Sequence, residues 1–257
     1  MEKRELEIVV ISDVHLGSYG CHAEELNHYI KSIKPKILIL NGDIFDGYVF
    51  NKKYFPSSHV EFVRNVLTLI KKGTTVYYLT GNHDDFMRNF EEISVLNLHK
   101  LDKLVLTIDD KKYWFFHGDI FDLSMQGKLG KSLAVIGGSA YDFLIRINRW
   151  VNIILKFMGR KPYSLSKKVK DSVKKAIVYV SDFEEMSCRH AIRQGYDYVI
   201  NGHIHQPCIR EYRNDEGKVF YMNSGDWIEN LTSLEFDGSE WTIYKYNPST
   251  FEKKSRK

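Results

Sequence analysis

Short runs of consecutive apolar residues punctuate this chain, and each run ends in a cluster of small, acidic and histidine residues. Leu6 to Ile11 is the first run. Lys36-Ile37-Leu38-Ile39-Leu40, bounded by Pro35 and Asn41-Gly42, is the second. Thr75 to Leu79 and Tyr198-Val199-Ile200 follow. Apolar runs this short, closed by turn residues, predict buried strands. Residues 22–33 predict a helix with Leu26, Tyr29, Ile30 and Ile33 on one side, and residues 57–71 predict another that stops at Gly73. This strand–helix–strand rhythm places parallel strands side by side with their C-terminal ends along one edge. Open α/β sheets bind ligands at that edge. Leu104–Ile108 and Tyr113–Phe116, around Asp109-Asp110-Lys111-Lys112, read as a hairpin. Residues 208–246 alternate apolar and polar positions around the turn Asn214-Asp215-Glu216-Gly217 and predict antiparallel strands that complete a second sheet. The polar loop Asn223-Ser224-Gly225-Asp226-Trp227 interrupts them.

The pattern changes between Tyr141 and Met158. Phe143, Leu144, Ile145, Ile147, Trp150, Val151, Ile153, Ile154, Leu155 and Phe157 leave only a narrow polar stripe of Asp142, Arg146, Arg149 and Lys156. So wide an apolar face exceeds what one packing neighbour needs. It suits acyl chains, a membrane surface with cations at the headgroups, or a packed position under the basic helix that begins near Ser164. Charge is uneven in the same region. Residues 128–175 hold twelve Lys/Arg against Asp142 and Asp171, a local +10 in a chain whose net charge is +4, so the remainder carries −6. That asymmetry fits an anionic partner or a solvated helical face. The length fits one α/β domain, residues 1–257, with residues 122–190 as a helical insertion. Cys21, Cys188 and Cys208 are widely spaced without a C-x-x-C, which argues against a disulfide framework and fits a reducing, cytoplasmic compartment. The charged start Met1-Glu2-Lys3-Arg4-Glu5 argues against a signal peptide, and no apolar run reaches the ~18 residues of a membrane span.

The strand ends carry the candidate chemistry. Asp13 and His15 follow the first strand; at i and i+2 of an extended segment they would point the same way and share a cation. Asp43 stands at the mouth of the second strand, where a buried carboxylate is costly unless something positive faces it. Its two oxygens suit it to bridge two cations; a turn residue capping a helix is the plainer alternative. Asp46, three residues on, can orient a ligand or begin a helix turn. The third strand ends in Gly81-Asn82-His83-Asp84: Asn82 offers a neutral carbonyl oxygen, His83 a proton for a reacting phosphoryl oxygen, and Asp84 a partner that would fix the His83 tautomer. Phe116-His117-Gly118-Asp119 and Gly202-His203-Ile204-His205 close two further strands. Carboxylates mixed with imidazoles suit Mn, Fe or Zn better than Mg or Ca.

Each motif alone is weak, but their ordered sum resembles the calcineurin-like metallophosphoesterase superfamily. The resemblance implies a two-sheet β-sandwich flanked by helices, with a helical cap inserted, and a pair of divalent metals: manganese first, with iron or zinc as alternatives. It implies Asp13, His15 and His205 as ligands of one metal, Asn82, His117 and His203 as ligands of the other, and Asp43 as the bridge. Such a pair activates water for attack on phosphorus, with His83 and Asp84 as the catalytic pair. Ser12-Asp13-Val14-His15-Leu16-Gly17, Gly225-Asp226-Trp227 and the insertion between His117 and His203 further resemble the UDP-2,3-diacylglucosamine hydrolases of the lipid A pathway. That likeness implies a cap holding acyl chains and substrate contacts from Ser166 and Lys167, with Asn82, His83 and His203 at the substrate phosphates. Lys170 and Val173 stand where that family has Asn and Lys; Lys174 is the substitute, and Lys170 and Lys174 are counted among the substrate contacts. His83 stands where that family commonly has Arg, and Ile120 to Met125 replaces an acidic, Tyr-containing stretch. The implied partner is a glycolipid nucleotide or another phosphorylated small molecule, with peripheral membrane contact through the 139–175 helices on the cytoplasmic face. A phosphodiesterase or phosphatase acting on nucleotides or nucleic acid is the alternative within the same chemistry. A non-catalytic interaction module on the same fold is the alternative outside it.

Overall fold

The computed structural model describes residues 3–48, 54–122 and 166–249, with the side chains of residues 166–177 set aside. The chain divides into two units, one of Met1–Asp119 with Ser187–Lys257 and one of Ile120–Met186. The first holds twelve strands in two sheets. Its first sheet is seven-stranded, in the order β12-β11-β1-β2-β3-β5-β4, and its second is five-stranded, in the order β6-β7-β8-β10-β9. The strands are β1 (Arg4–Ile11), β2 (Ile33–Asn41), β3 (Thr75–Leu79), β4 (Ile93–Val95), β5 (Leu98–Leu101), β6 (Lys103–Ile108), β7 (Lys111–Phe116), β8 (Tyr198–Asn201), β9 (Cys208–Asn214), β10 (Gly217–Asn223), β11 (Thr232–Phe236) and β12 (Trp241–Lys245). Among the described residues the α-helices are α1 (Ala23–Ser32), α2 (Ser57–Lys71) and α3 (Ser166–Arg193).

The continuous apolar runs follow from burial on both faces. In β1, Ile8 and Val10 face the second sheet, while Val9 and Ile11 pack with α1 and α2. Ile39 and Leu79 likewise join the core between the sheets, whereas Leu38, Leu40, Val76 and Tyr78 lie under Leu26, Tyr29 and Ile30 of α1 and Phe62, Val66 and Leu69 of α2. Leu104, Tyr113, Phe115, Ile200 and Met222 close the inter-sheet core from the second sheet. Trp114 turns the other way and meets His190 of α3 at 5.1 Å between ring centroids. The layers of the first unit are thus helix, sheet, sheet, helix, the mixed α/β sandwich expected.

Four features depart from the sequence expectations. β2 begins at Ile33 and runs through Pro35. Pro35 pairs with Leu6 of β1, but β3 joins β2 only from Ile37, so no ladder bond is demanded where proline lacks its N–H. Residues 208–246 do not all enter the second sheet. β9 and β10 do, but β11 crosses to pair antiparallel with β1, and β12 extends the first sheet beyond it. β4 and β5 were not predicted, because β4 is an exposed edge strand in all three residues and has no buried face to imprint a period. The hairpin turn is shorter than expected. Asp109 and Asp110, at φ 48° and 61°, form a two-residue turn, and Lys111 already pairs with Ile108.

The apolar helix expected between Tyr141 and Met158 lies outside the described residues. Ser166, Lys167, Lys170 and Lys174 fall on α3, in the part whose side chains are likewise outside them. Among the described residues no helix is long and apolar enough to cross a membrane.

Phe115 is fully buried between the sheets. Phe115→Ala is expected to lower unfolding stability by about 3–5 kcal/mol through lost transfer energy and an unfilled cavity, read from the urea midpoint at unchanged denaturant slope.

Candidate metal centre

β1, β2 and β3 are mutually parallel, and so are β7, β8 and β10. The loops that leave their C-terminal ends carry Asp13 and His15, Asp43 and Asp46, Asn82 to Asp84, His117, and His203 and His205. Ligand atoms of these residues fall into three groups, each with its atoms within 4.8 Å of one another: Asp13–His15–His205, His15–Asp43–His83, and Asp43–His117–His203. The groups chain together through His15 and Asp43.

The convergence does not come from strand alternation. Asp13 and His15 are not extended but sit in the left-handed region at φ 53° and 54°, as do His203 and His205 at 66° and 52° and Asp43 at 55°. That conformation costs roughly 1–2 kcal/mol for a residue with a side chain. Backbone bonds between neighbouring loops hold it. Val14 N and His15 N both donate to Asp43 O at 3.0 and 2.9 Å, Asp13 N donates to Gly42 O at 3.1 Å, and Leu16 N donates to Ile44 O at 2.8 Å. Side-chain carboxylates lace the remaining loops: Asp43 Oδ1 accepts from His83 N at 2.8 Å and Asp13 Oδ2 from His203 N at 3.1 Å. Two glycines make room. A Cβ on Gly81 would lie 2.2 Å from Asp43 Oδ1, and one on Gly202 would lie 2.5 Å from Asp13 Oδ2.

The electrostatics point to a cation. Asp13, Asp43 and Asp46 are buried, and so are His15 and His117. His117 Nδ1 lies 2.9 Å from the Asn41 carbonyl. A carbonyl only accepts, so Nδ1 carries the proton and Nε2 presents its lone pair to Asp43 Oδ2, 3.2 Å away. Two lone pairs facing each other require a positive charge between them. Asp13 Oδ1, His15 Nε2, Asn82 Oδ1 and His117 Nε2 are all buried without a hydrogen-bond partner. Orphaned polar atoms cost roughly 1–3 kcal/mol each, and four of them aimed into one site fit a metal-binding role. Without metal, protons fill the same need. Burial works against charge on His117, but Asp43 outweighs it and holds the imidazole well above its usual pKa. Burial likewise opposes charge on His205, yet Asp13 raises it to about 9. Burial would raise Asp43, but His117, His15 and His83 hold it far below the carboxylate range.

His83 and Asp84 are placed differently from expectation. Asp84 does not hold His83. Its oxygens accept from Gly81 N at 2.6 Å, Ile44 N at 2.9 Å and Tyr78 OH at 2.5 Å, so it ties the loops after β2 and β3 together. His83 Nδ1 instead lies 3.1 Å from Asp46 Oδ1, and Asp46 Oδ2 lies 3.4 Å from His15 Nδ1. Asp46 therefore stands between two imidazoles. The three-residue spacing from Asp43 suggested an orienting role but not which histidine it would meet. Asn230, in the loop after β10, was assigned no role from the sequence, although its Nδ2 donates to the His205 carbonyl at 2.9 Å. Its contact is with backbone across 25 residues, and no local pattern signals that.

Gly81→Ala is expected to displace the Asp43 carboxylate and to weaken retention of divalent metal by about 10- to 100-fold, the range for a disturbed ligand shell. Metal analysis after dialysis, with circular dichroism to confirm folding, checks this.

The calcineurin-like phosphoesterase family model matches residues 6–207. The curated UDP-2,3-diacylglucosamine hydrolase of Aliivibrio fischeri strain MJ11 is 22% identical over 254 residues, which cover 93% of this chain and 98% of that one. The protein of the same name from Aeromonas salmonicida strain A449 is 24% identical over 87% of both chains. Among solved structures, an archaeal phosphodiesterase is 14% identical and covers 93% of this chain and 98% of its own at a TM-score of 0.41.

Proposed function

We propose a substrate and a division of roles on one premise: this chain belongs to the calcineurin-like phosphoesterase family and is a metal-dependent phosphoester hydrolase. The substrate we assign is UDP-2,3-diacylglucosamine, cleaved at its diphosphate to UMP and 2,3-diacylglucosamine 1-phosphate. Its support is the name shared by curated relatives that span nearly the whole chain, as the Aliivibrio fischeri protein does. The observation that carries the chemistry is the pair of three-residue clusters at the sheet edge, Asp13–His15–His205 and Asp43–His117–His203, in which Asp13 Oδ1, His15 Nε2 and His117 Nε2 are buried without a hydrogen-bond partner.

In this reading Asp13, His15 and His205 would hold one divalent cation, Asn82, His117 and His203 would hold the other, and Asp43 would serve both. Manganese is the metal we assign, since four imidazoles, one amide and two carboxylates form a mixed nitrogen–oxygen set. When bound, the cations supply the Lewis acidity that activates water and neutralises the phosphoryl oxygens. The chain's own residues do the rest. Asp46 accepts from His83 Nδ1, so His83 directs Nε2 away from that carboxylate. Burial disfavours charge on His83, but Asp46 and Asp43 overcome it and raise its pKa, which keeps a proton available for donation. A diphosphate leaving group is a weak base and needs little protonation. His83 therefore acts mainly by stabilising charge on the phosphoryl oxygens. Asp84 supports the loop geometry rather than the proton. Ser166, Lys167, Lys170 and Lys174 are assigned to the substrate, and the basic, apolar 139–175 stretch to its acyl chains and the membrane surface where such a substrate resides.

The test is UMP release from UDP-2,3-diacylglucosamine with Mn²⁺, beside the same reaction in chelator. Metal-dependent UMP is the expected result. Hydrolysis of bis-p-nitrophenyl phosphate without UMP release would keep the metal chemistry and overturn the substrate.

Two variants separate the roles. His83→Ala is expected to lower kcat by about 10²-fold, the lower end of losses for a donor that stabilises charge on the reacting oxygens. Asp43→Asn is expected to lose more than that together with bound metal, and activity of Asp43→Asn equal to wild type would overturn the bridge.

A further inference from the structure

The loop after β10 supplies none of the residues in the two clusters, yet it fastens the loops that do. β10 is parallel to β8, so its C-terminal end reaches the same sheet edge. From there Asn223 Nδ2 donates to Gly202 O at 2.7 Å, in the loop that carries His203 and His205, and Ser224 N donates to Asn201 O at 3.1 Å, at the end of β8 just before that loop. Ser224 Oγ meets Ser12 Oγ at 2.6 Å, and Trp227 N donates to Asp13 O at 3.0 Å, both in the loop that carries Asp13 and His15. The loop then ends on Asn230. One Asn230 Nδ2 proton goes to Asp226 Oδ2 at 2.5 Å and the other to His205 O at 2.9 Å. Asp226 is fully buried, and its Oδ1 accepts the backbone N–H groups of Ile228, Glu229 and Asn230 at 2.8, 2.5 and 3.2 Å. The carboxylate is saturated by its own turn, which leaves Asn230 fixed at a single angle.

The Asn230 end of this brace is one-sided: it reaches the backbone of His205, a residue held at positive φ whose side chain lies 3.1 Å from that of Asp13. The opposite cluster is secured by other bonds: Asn41 and Asn201 Nδ2 both donate to Phe116 O, and Gly202 N donates to His117 O at 3.0 Å. We propose that Asn230, set by Asp226, is a positioning residue: it keeps His205 in its left-handed conformation beside Asp13 and so sets the cation affinity of the Asp13–His15–His205 cluster, without acting on the Asp43–His117–His203 cluster. This rests on the dinuclear reading given above.

The experiment is a calorimetric titration of metal-free protein with Mn²⁺, wild type against Asn230→Ala, with apo-protein melting curves alongside. Wild type is expected to bind two ions. The variant is expected to bind the first as wild type does and the second about 10- to 100-fold more weakly, as for other residues that orient a ligand. Asn230→Gln, which restores an amide donor, is expected to recover part of the loss. Should Asn230→Ala fail to fold, Asn230→Ser replaces it, since a hydroxyl can still bond Asp226 but is too short to reach His205. Two binding steps equal to those of wild type, or both weakened alike, overturn the brace. A wild type that binds fewer than two ions overturns the dinuclear reading itself, a failure distinguishable because it precedes any variant.

Discussion

Two carboxylates sealed from water at the junction of the two sheets determine much of this structure. Asp13 and Asp43 are buried, and among the described residues they meet imidazoles and backbone N–H groups. A buried carboxylate left unpaired would change protonation state or destabilise the fold. Here His205 and His117 compensate it in the metal-free protein, and each is held charged by the acid it faces. Protons and cations therefore compete for the same positions. A divalent cation held by these imidazoles would take the place of their protons, which would couple metal uptake to pH and to the stability of the edge.

The geometry that creates this competition is strained. Five ligand-type residues, Asp13, His15, Asp43, His203 and His205, occupy the left-handed region. Such residues persist only where surroundings over-determine them. The surroundings in question are backbone bonds from one loop to the next. The loop after β1 hangs on the loop after β2, the loop after β2 is tied to that after β3 by Asp84, and the loop after β8 is tied to that after β10 by Asn223 and Asn230. Each loop is thus a template for its neighbour, and strain is distributed rather than stored at one turn.

This explains which parts were legible in the sequence. The buried strands announced themselves because both their faces are covered, leaving uninterrupted apolar runs such as Val9-Val10-Ile11 and Leu38-Ile39-Leu40. The ligand types were legible because each follows such a run. The means of convergence was not. Periodicity describes regular backbone, and Asp13 and His15 meet their neighbours through left-handed turns that a period of two does not represent. Partnerships across the chain were equally hidden. Asp84 is adjacent to His83 in sequence, but its oxygens turn to Tyr78, Gly81 and Ile44, and the carboxylate that faces His83 comes from 37 residues earlier. The exposed strand β4 and the return of β11 to the first sheet were hidden because neither carries a one-sided pattern: β4 is exposed throughout and β11 buried throughout.

The same logic separates chemistry from substrate choice. His117 and His203 are 86 residues apart, yet β7 and β8 are neighbouring parallel strands, with Tyr113 opposite Tyr198 and Phe115 opposite Ile200. The ladder ends with Gly202 N donating to His117 O at 3.0 Å, so strand pairing sets the two loops side by side and their imidazoles lie 5.1 Å apart between ring centroids. Whatever lies between them in sequence enters and leaves through a junction already closed by backbone bonds. A long insertion at that point can change in length, charge or apolar character without altering the distance between ligands, because loop-closure entropy grows only slowly with length. In the proposed function the metal set is constrained by the pairing of short buried strands, while the basic, apolar segment between them answers to the substrate. The two carry different kinds of signal in one chain: ordered single residues at strand ends for the reaction, and composition over tens of residues for what is brought to it.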